Sequence, residues 1–139
     1  MKSAADDTRR LIEAYFSALN ARDWNRAAML LREDVIHDVD EGGREIGRRA
    51  YRDFLQRAAQ TCREEVGDLE IMISRSGRRA AAEFIVRGVY LATAAAGRDG
   101  ATRRYELPLG AFFEIEDGLI SRITTYCNTA AWLSRIDCH

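Results

Sequence analysis

Residues 35–40, which read VIHDVD, hold the side chains best suited to acid-base chemistry. Their β-branched residues favour a strand with at least one polar face. The ordinary pKa of histidine, near ~6.5, suits proton transfer at neutral pH. His37 is therefore the first catalytic candidate. Because side chains alternate along a strand, Asp38 and Asp40 face away from His37 and join it only through a bulge.

Each of these residues also has a purely structural interpretation. His37 fits a pocket wall in which its imidazole is hydrogen-bonded and has no catalytic duty. Asp38 and Asp40 fit a solvated strand end or turn. Both interpretations stay open at the level of sequence.

Two short helices precede this strand. The segment LIEAYFSALN has apolar residues at helical spacing after Asp6, Asp7 and Thr8, any of which suits a helix cap. A second helical face begins at Trp24. Gly42 and Gly43 predict a turn, and a short strand is predicted over Arg44–Ile46. A third helix follows, and its predicted buried stripe consists of Tyr51, Phe54, Leu55, Ala58 and Cys62.

The remainder predicts a meander of long strands. Turn residues separate the predicted strands Leu69–Ser74, Arg79–Thr93, Arg103–Glu116 and Leu119–Asn128. On the third of these, alternation places Tyr105, Leu107, Leu109, Ala111, Phe113 and Ile115 on the face toward the helices. Pro108 leaves open a bulge that turns Phe112 or Glu114 inward.

Composition is that of one compact domain spanning residues 1–139, with 47% hydrophobic residues and a net charge of -1. This charge argues against nucleic-acid and anionic-membrane partners. No apolar run approaches the roughly 20 residues of a membrane span, and a signal-peptide core is not evident, so we expect a cytoplasmic protein. Three cysteines without CxxC spacing and two histidines predict neither a disulfide framework nor a metal site.

Four segments together resemble one known superfamily over nearly the whole chain. They read YFSALNARDW, REDVIHD, GGREIGRRAYRDFL and FFEIEDGLISRITTYCN. The chain is similar to the nuclear transport factor 2-like (NTF2-like) proteins, and within them to the SnoaL-like and ketosteroid isomerase-related group. The resemblance implies an α+β cone in which three N-terminal helices pack on a curved, mostly antiparallel mixed sheet.

The resemblance also assigns site positions. Tyr15 matches the tyrosine that stabilises a dienolate in ketosteroid isomerases. The position of their base falls on Val39, which shares strand parity with His37, and their second acid falls on Gly110 or Ala111, depending on the anchor. The acidic residue at the end of SnoaL-like proteins is replaced by Asn128. These departures argue against a true steroid isomerase. The remaining hypothesis is that His37, helped by Asp38 or Asp40, transfers the proton. In it Tyr15 or Tyr126 donates a hydrogen bond to the oxyanion.

The resulting hypothesis is a small-molecule pocket of apolar character. It binds a small hydrophobic ligand without a cofactor or metal, and it supports an isomerase, cyclase or hydratase-like reaction. A non-catalytic ligand-binding module and a protein-interaction module are the alternatives. A homodimer through the sheet face is expected, with Glu83 and Arg87 pointing outward. The predicted lining consists of Tyr51, Phe54, Phe112, Phe113, Tyr126, Asn128 and Trp132.

Overall fold

The computed structural model describes residues 3–39, 43–91 and 102–127. Within these ranges the helices are α1 (Ala4–Asn20), α2 (Trp24–Met29) and α3 (Arg48–Thr61). The strands are β1 (Leu31–Val39), β2 (Gly43–Ile46), β3 (Cys62–Ile73), β4 (Arg79–Leu91), β5 (Thr102–Glu116) and β6 (Leu119–Cys127). None of these described helices has the length and apolar character needed to cross a bilayer.

All six strands belong to one sheet in the order β2-β1-β6-β5-β4-β3. Every neighbouring pair is antiparallel except β1 and β6, which are parallel. The β5 and β6 strands are joined by a tight turn at Asp117 and Gly118, both with positive φ. The predicted mostly antiparallel mixed sheet is therefore confirmed.

The first helix begins earlier than its predicted caps. Ser3 caps it: the Asp6 amide donates to the Ser3 hydroxyl at 3.1 Å, and the Ser3 amide donates to the Asp6 carboxylate at 3.3 Å. This reciprocal capping box satisfies two free amides at the helix start. Thr8 is instead inside the helix, where its hydroxyl donates to the Gly77 carbonyl and ties α1 to the β3–β4 turn.

The third helix ends at Thr61, and Cys62 already has extended backbone. Sequence periodicity placed Cys62 on the helix and began the next strand at Leu69. The difference arises because β3 pairs with β4 from Cys62 opposite Tyr90 onward, so sheet hydrogen bonding extends the strand through a charged, edge-strand segment.

Strand alternation separates an inner sheet face, toward the helices, from an outer face. The predicted inner set of β5 is buried or half-buried, whereas Phe112 is 54% exposed on the outer face. Pairing of β4 with β5 continues through Pro108 without a register shift, so the possible inward turn of Phe112 or Glu114 does not occur. Glu83 and Arg87 are exposed on the outer face, as expected.

Helices α1 and α3 cover the inner face and complete the core. The largest fully buried side chains are Phe113, Ile12, Leu31, Ile120, Ile123 and Val35. Phe16 packs edge-to-face on Phe84 and Phe113. This packing fixes α1 on the sheet, and it places the Tyr15 ring against Phe113 on the inner face.

Candidate functional site

His37 lies on the inner face of β1 against two aromatic rings of α3. The side chain is 5% exposed. Its ring centroid lies 4.6 Å from that of Tyr51 and 4.8 Å from that of Phe54, both in edge-to-face contact. The predicted helical stripe of α3 therefore supplies the wall on which the imidazole is positioned.

A pair of tyrosine hydroxyls lies next to this histidine. The hydroxyls of Tyr15 and Tyr51 form a hydrogen bond, although the two residues are far apart in sequence. Both side chains are buried. Burial raises the pKa of Tyr15 well above its ordinary value, and it raises the pKa of Tyr51 to about 12. Both phenols thus remain protonated at neutral pH and are available as hydrogen-bond donors.

The environment of the His37 imidazole favours its neutral form. Burial lowers the pKa of His37, and the negative charges of Glu45 and Asp38 act in the opposite direction. Its Nδ1 atom is sealed from solvent, and no described residue gives it a hydrogen-bond partner. Buried polar atoms are nearly always paired in proteins, so the unpaired Nδ1 atom requires an explanation, and a catalytic role is one.

Asp38 does not join His37. It lies on the outer face, where Arg44 donates at 2.7 Å, Arg122 at 2.8 Å and Thr124 at 3.1 Å to its carboxylate. Hydrogen bonding from Arg44, with contributions from Thr124 and Arg122, lowers the pKa of Asp38 to about 2. The irregularity in the pairing of β1 with β6 precedes Ile36 and does not turn Asp38 inward. Asp38 is an ionised structural partner here and has no access to the imidazole.

The predicted lining residues divide between the two faces. Tyr51, Phe54 and Phe113 lie on the inner side with His37 and Tyr15. Phe112 and Tyr126 lie together on the outer face, with ring centroids 5.7 Å apart. They are not part of the inner cluster because β5 and β6 keep regular alternation there. Asp40, Asn128 and Trp132 fall outside the described residues.

Sequence reasoning missed two features of the inner face. One is the hydrogen bond between Tyr15 and Tyr51, because the sequence predicts Tyr51 only as a lining residue. The other is Glu45, which pairs with His37 across β1 and β2. The register of that hairpin was the signal that could have identified Glu45, because directly opposed residues point to the same face.

A second polar contact lies farther along the inner face. The Tyr105 hydroxyl donates to the Glu64 carboxylate at 2.6 Å. Its ring passes over Gly88, where a Cβ atom would lie 2.5 Å from the ring. The described residues contain no cluster of three or more potential metal-binding side chains. The chemistry of the described inner face therefore rests on histidine, tyrosine and carboxylate groups.

Comparisons with known proteins agree with this architecture. A structure from Xanthomonas campestris pv. campestris, provisionally named a polyketide cyclase, is 39% identical, with a TM-score of 0.92 and coverage of 97% of this chain and 100% of its own. A second, from Pseudomonas putida KT2440 and named in the same way, is 38% identical, with a TM-score of 0.84 and coverage of 97% and 98%.

An NTF2-like protein of unknown function from Burkholderia pseudomallei shares the fold at 16% identity, with a TM-score of 0.79 and coverage of 94% of this chain and 98% of its own. The predicted NTF2-like cone is thus confirmed. No curated protein matches the chain. The family model of the SnoaL-like domain matches residues 12–123. The chain therefore belongs to the SnoaL-like domain family.

Proposed function

We propose that this protein is a cofactor-independent enzyme that enolises a small, hydrophobic carbonyl compound in its cone. The observation that carries the proposal is a buried, neutral histidine with an unpartnered ring nitrogen beside a hydrogen-bonded pair of protonated tyrosines. A base and a hydrogen-bond donor in an apolar wall are the two groups that enolisation needs.

The proposed step moves one proton from the substrate to His37 and back to the product. A ring nitrogen of His37 accepts a proton from the carbon next to the carbonyl, and the C–H electron pair forms the enolate. Two phenols share one hydrogen bond, so one O–H of the Tyr15–Tyr51 pair remains to donate to the enolate oxygen. The imidazolium then returns its proton to another carbon in an isomerisation, or to the new alkoxide after intramolecular carbon–carbon bond formation.

The cyclisation outcome is supported by the relatives that are 39% and 38% identical and provisionally named polyketide cyclases. Steroid isomerisation is not proposed. Val39 stands where the resemblance places the steroid-isomerase base. Of the two candidate positions for the second acid, Ala111 faces the inner side, and its side chain has no proton to donate.

The test is deuterium incorporation from D₂O into fused-ring ketones, with 2-tetralone and 1-indanone as probes followed by NMR. The wild type should accelerate exchange next to the carbonyl. His37→Gln should lower the enzymatic rate by about 100-fold or more, the usual contribution of a general base. Thermal unfolding of both proteins verifies that the variant is folded. Glu83→Gln, an exposed outer-face change, is the matched control and should exchange at the wild-type rate.

Equal exchange by wild type and the folded His37→Gln variant would refute His37 as the base. Stabilisation of the fold by both ketones without exchange above buffer would instead favour the non-catalytic ligand-binding module.

A second proposal concerns assembly, and it arises from the outer face. Met72, Phe112 and Tyr126 are each more than half exposed there and border a groove of about 450 Å³. The same groove contains Arg79 and Arg122, both in contact with Glu114. A surface with apolar residues and both signs of charge can complement itself across a two-fold axis. We therefore propose a homodimer through this face.

A further inference from the structure

We infer that Glu45 is the positioning carboxylate of His37, which orients the imidazole and stabilises the imidazolium formed during proton transfer. The catalytic use of this pair rests on the proposed function. The contact itself can be tested without any substrate.

The hairpin register places the two side chains on the same face, directly opposite each other. In the antiparallel pairing of β1 with β2, Glu45 lies directly opposite His37. Opposed residues share a face, with Cβ atoms about 4.5–5.5 Å apart. The adjacent pair provides an independent check, since Asp38 and Arg44 are also opposed and form their 2.7 Å contact on the other face.

Neither member of the pair has another partner among the described residues. The His37 Nδ1 atom is buried and unpaired. Glu45 is half-buried, and no hydrogen bond or ion pair to its carboxylate occurs within the described ranges. Asp38 on the same hairpin has three donors. Glu45 is thus free to accept an N–H of His37 once the ring is protonated, which is the role that carboxylates have beside functional histidines.

Other groups near His37 do not supply this charge. On α3, the rings of Tyr51 and Phe54 contact the imidazole, and the Tyr51 hydroxyl is hydrogen-bonded to that of Tyr15. On β6 the residue opposite His37 is Ile123. Asp38, next in sequence, faces outward and is neutralised by two arginines. Glu45 is therefore the carboxylate on the histidine's own face, and its charge opposes the effect of burial on the His37 pKa.

Loss of the Glu45 charge should lower the His37 pKa. Glu45→Gln removes a negative charge that favours imidazolium, so the His37 pKa should fall below the wild-type value. Because the base must be neutral to act, the acidic limb of the rate profile should move to lower pH. The plateau rate should fall by about 10-fold, as is usual when the hydrogen-bonding partner of a functional histidine is lost. A merely structural loss would lower the plateau without moving the limb.

The experiment is an NMR titration of the His37 imidazole in the ligand-free protein. His139→Ala removes the other imidazole of the chain and makes the assignment unambiguous. In this background the His37 pKa should fall in Glu45→Gln, stay near the parent value in Glu45→Asp, and not change in the Glu83→Gln control. Thermal unfolding verifies each fold.

An unchanged His37 pKa in folded Glu45→Gln would overturn the inference, whatever the protein catalyses. A lowered pKa would support the contact even if the ketone assay failed. In that case the proposed function alone would be refuted. A lowered pKa together with a shifted exchange profile would support the full positioning role.

Discussion

At the scale of single residues, the candidate site contains one pair of buried polar side chains. The two tyrosine hydroxyls satisfy each other inside an aromatic wall, and the bond joins α1 to α3 across the cone. A buried hydroxyl that loses its partner retains the full penalty of leaving water, whereas loss of both hydroxyls removes that penalty. The pair is therefore energetically coupled.

We expect Tyr15→Phe and Tyr51→Phe each to lower the free energy of unfolding by about 1–3 kcal/mol, because each leaves one phenol unpaired. The double variant should lose clearly less than the sum of the single losses. Urea unfolding of the four proteins measures this coupling. Tyr126→Phe, at an exposed tyrosine, should be nearly neutral. Additive losses in the double variant would show that the hydroxyls do not depend on each other.

The residue types of the site were readable from sequence, but its pairings were not. His37 was identified because it lies on a predicted strand at the parity of Val39 and because the ordinary pKa of imidazole suits proton transfer. Strand parity placed it inward correctly. Parity also kept Asp38 outward. The hydrogen bond between Tyr15 and Tyr51 depends on helix docking, and the position of Glu45 opposite His37 depends on hairpin register. Both arise from tertiary packing that local periodicity does not encode.

At the scale of secondary-structure elements, the Tyr105 side chain connects β5 to β3 by packing over Gly88 on β4. Gly88 on β4 lies between Glu64 on β3 and Tyr105 on β5 in the strand registers. Because Gly88 has no side chain, the Tyr105 ring crosses it and reaches the Glu64 carboxylate. Tyr105 is nearly buried, so the ring has little room to move.

Gly88→Ala should therefore destabilise the protein by about 1–3 kcal/mol through overpacking, since its Cβ would lie 2.5 Å from the Tyr105 ring. Gly110→Ala is the matched control, because there the nearest atom is 3.9 Å away. That change should be neutral or slightly stabilising. Thermal and urea unfolding compare the two. The cost of Gly88→Ala should shrink in a Tyr105→Leu background, and equal costs in both backgrounds would contradict the proposed clash.

Element boundaries show where sequence reasoning was limited. The long alternating strands β4 to β6 and the amphipathic α1 were recognised from their periodicity. The start of β3 was missed because the residues from Cys62 to Asp68 are mostly charged and lack alternation, and they become a strand only through pairing with β4. The Ser3 cap was missed because the later residues Asp6, Asp7 and Thr8 are also favoured at helix N-caps.

At the scale of the whole molecule, the sheet separates two kinds of chemistry. The inner face holds a neutral histidine and protonated phenols, whereas the outer face has a chain of ionic contacts from Arg44 through Asp38, Arg122 and Glu114 to Arg79. Because the ionic contacts and the exposed aromatics occupy one face, an assembly through that face would leave the inner site unobstructed. The proposed assembly and the proposed catalysis should therefore be separable by mutation.

Tyr126→Glu should convert the proposed homodimer to a monomer, because it would bury an unpaired charge beside Phe112 at the centre of the interface. Analytical ultracentrifugation over a range of concentrations measures the change. Met29→Glu is the matched control: this side chain is 64% exposed on α2, outside the proposed face, and its change should leave the dimer intact. If the wild type sediments as a monomer, or if Tyr126→Glu remains dimeric, the outer face does not mediate self-association. Tyr126 lies on the face opposite His37. A monomeric Tyr126→Glu variant that still catalyses ketone exchange would therefore show that a single protomer is active.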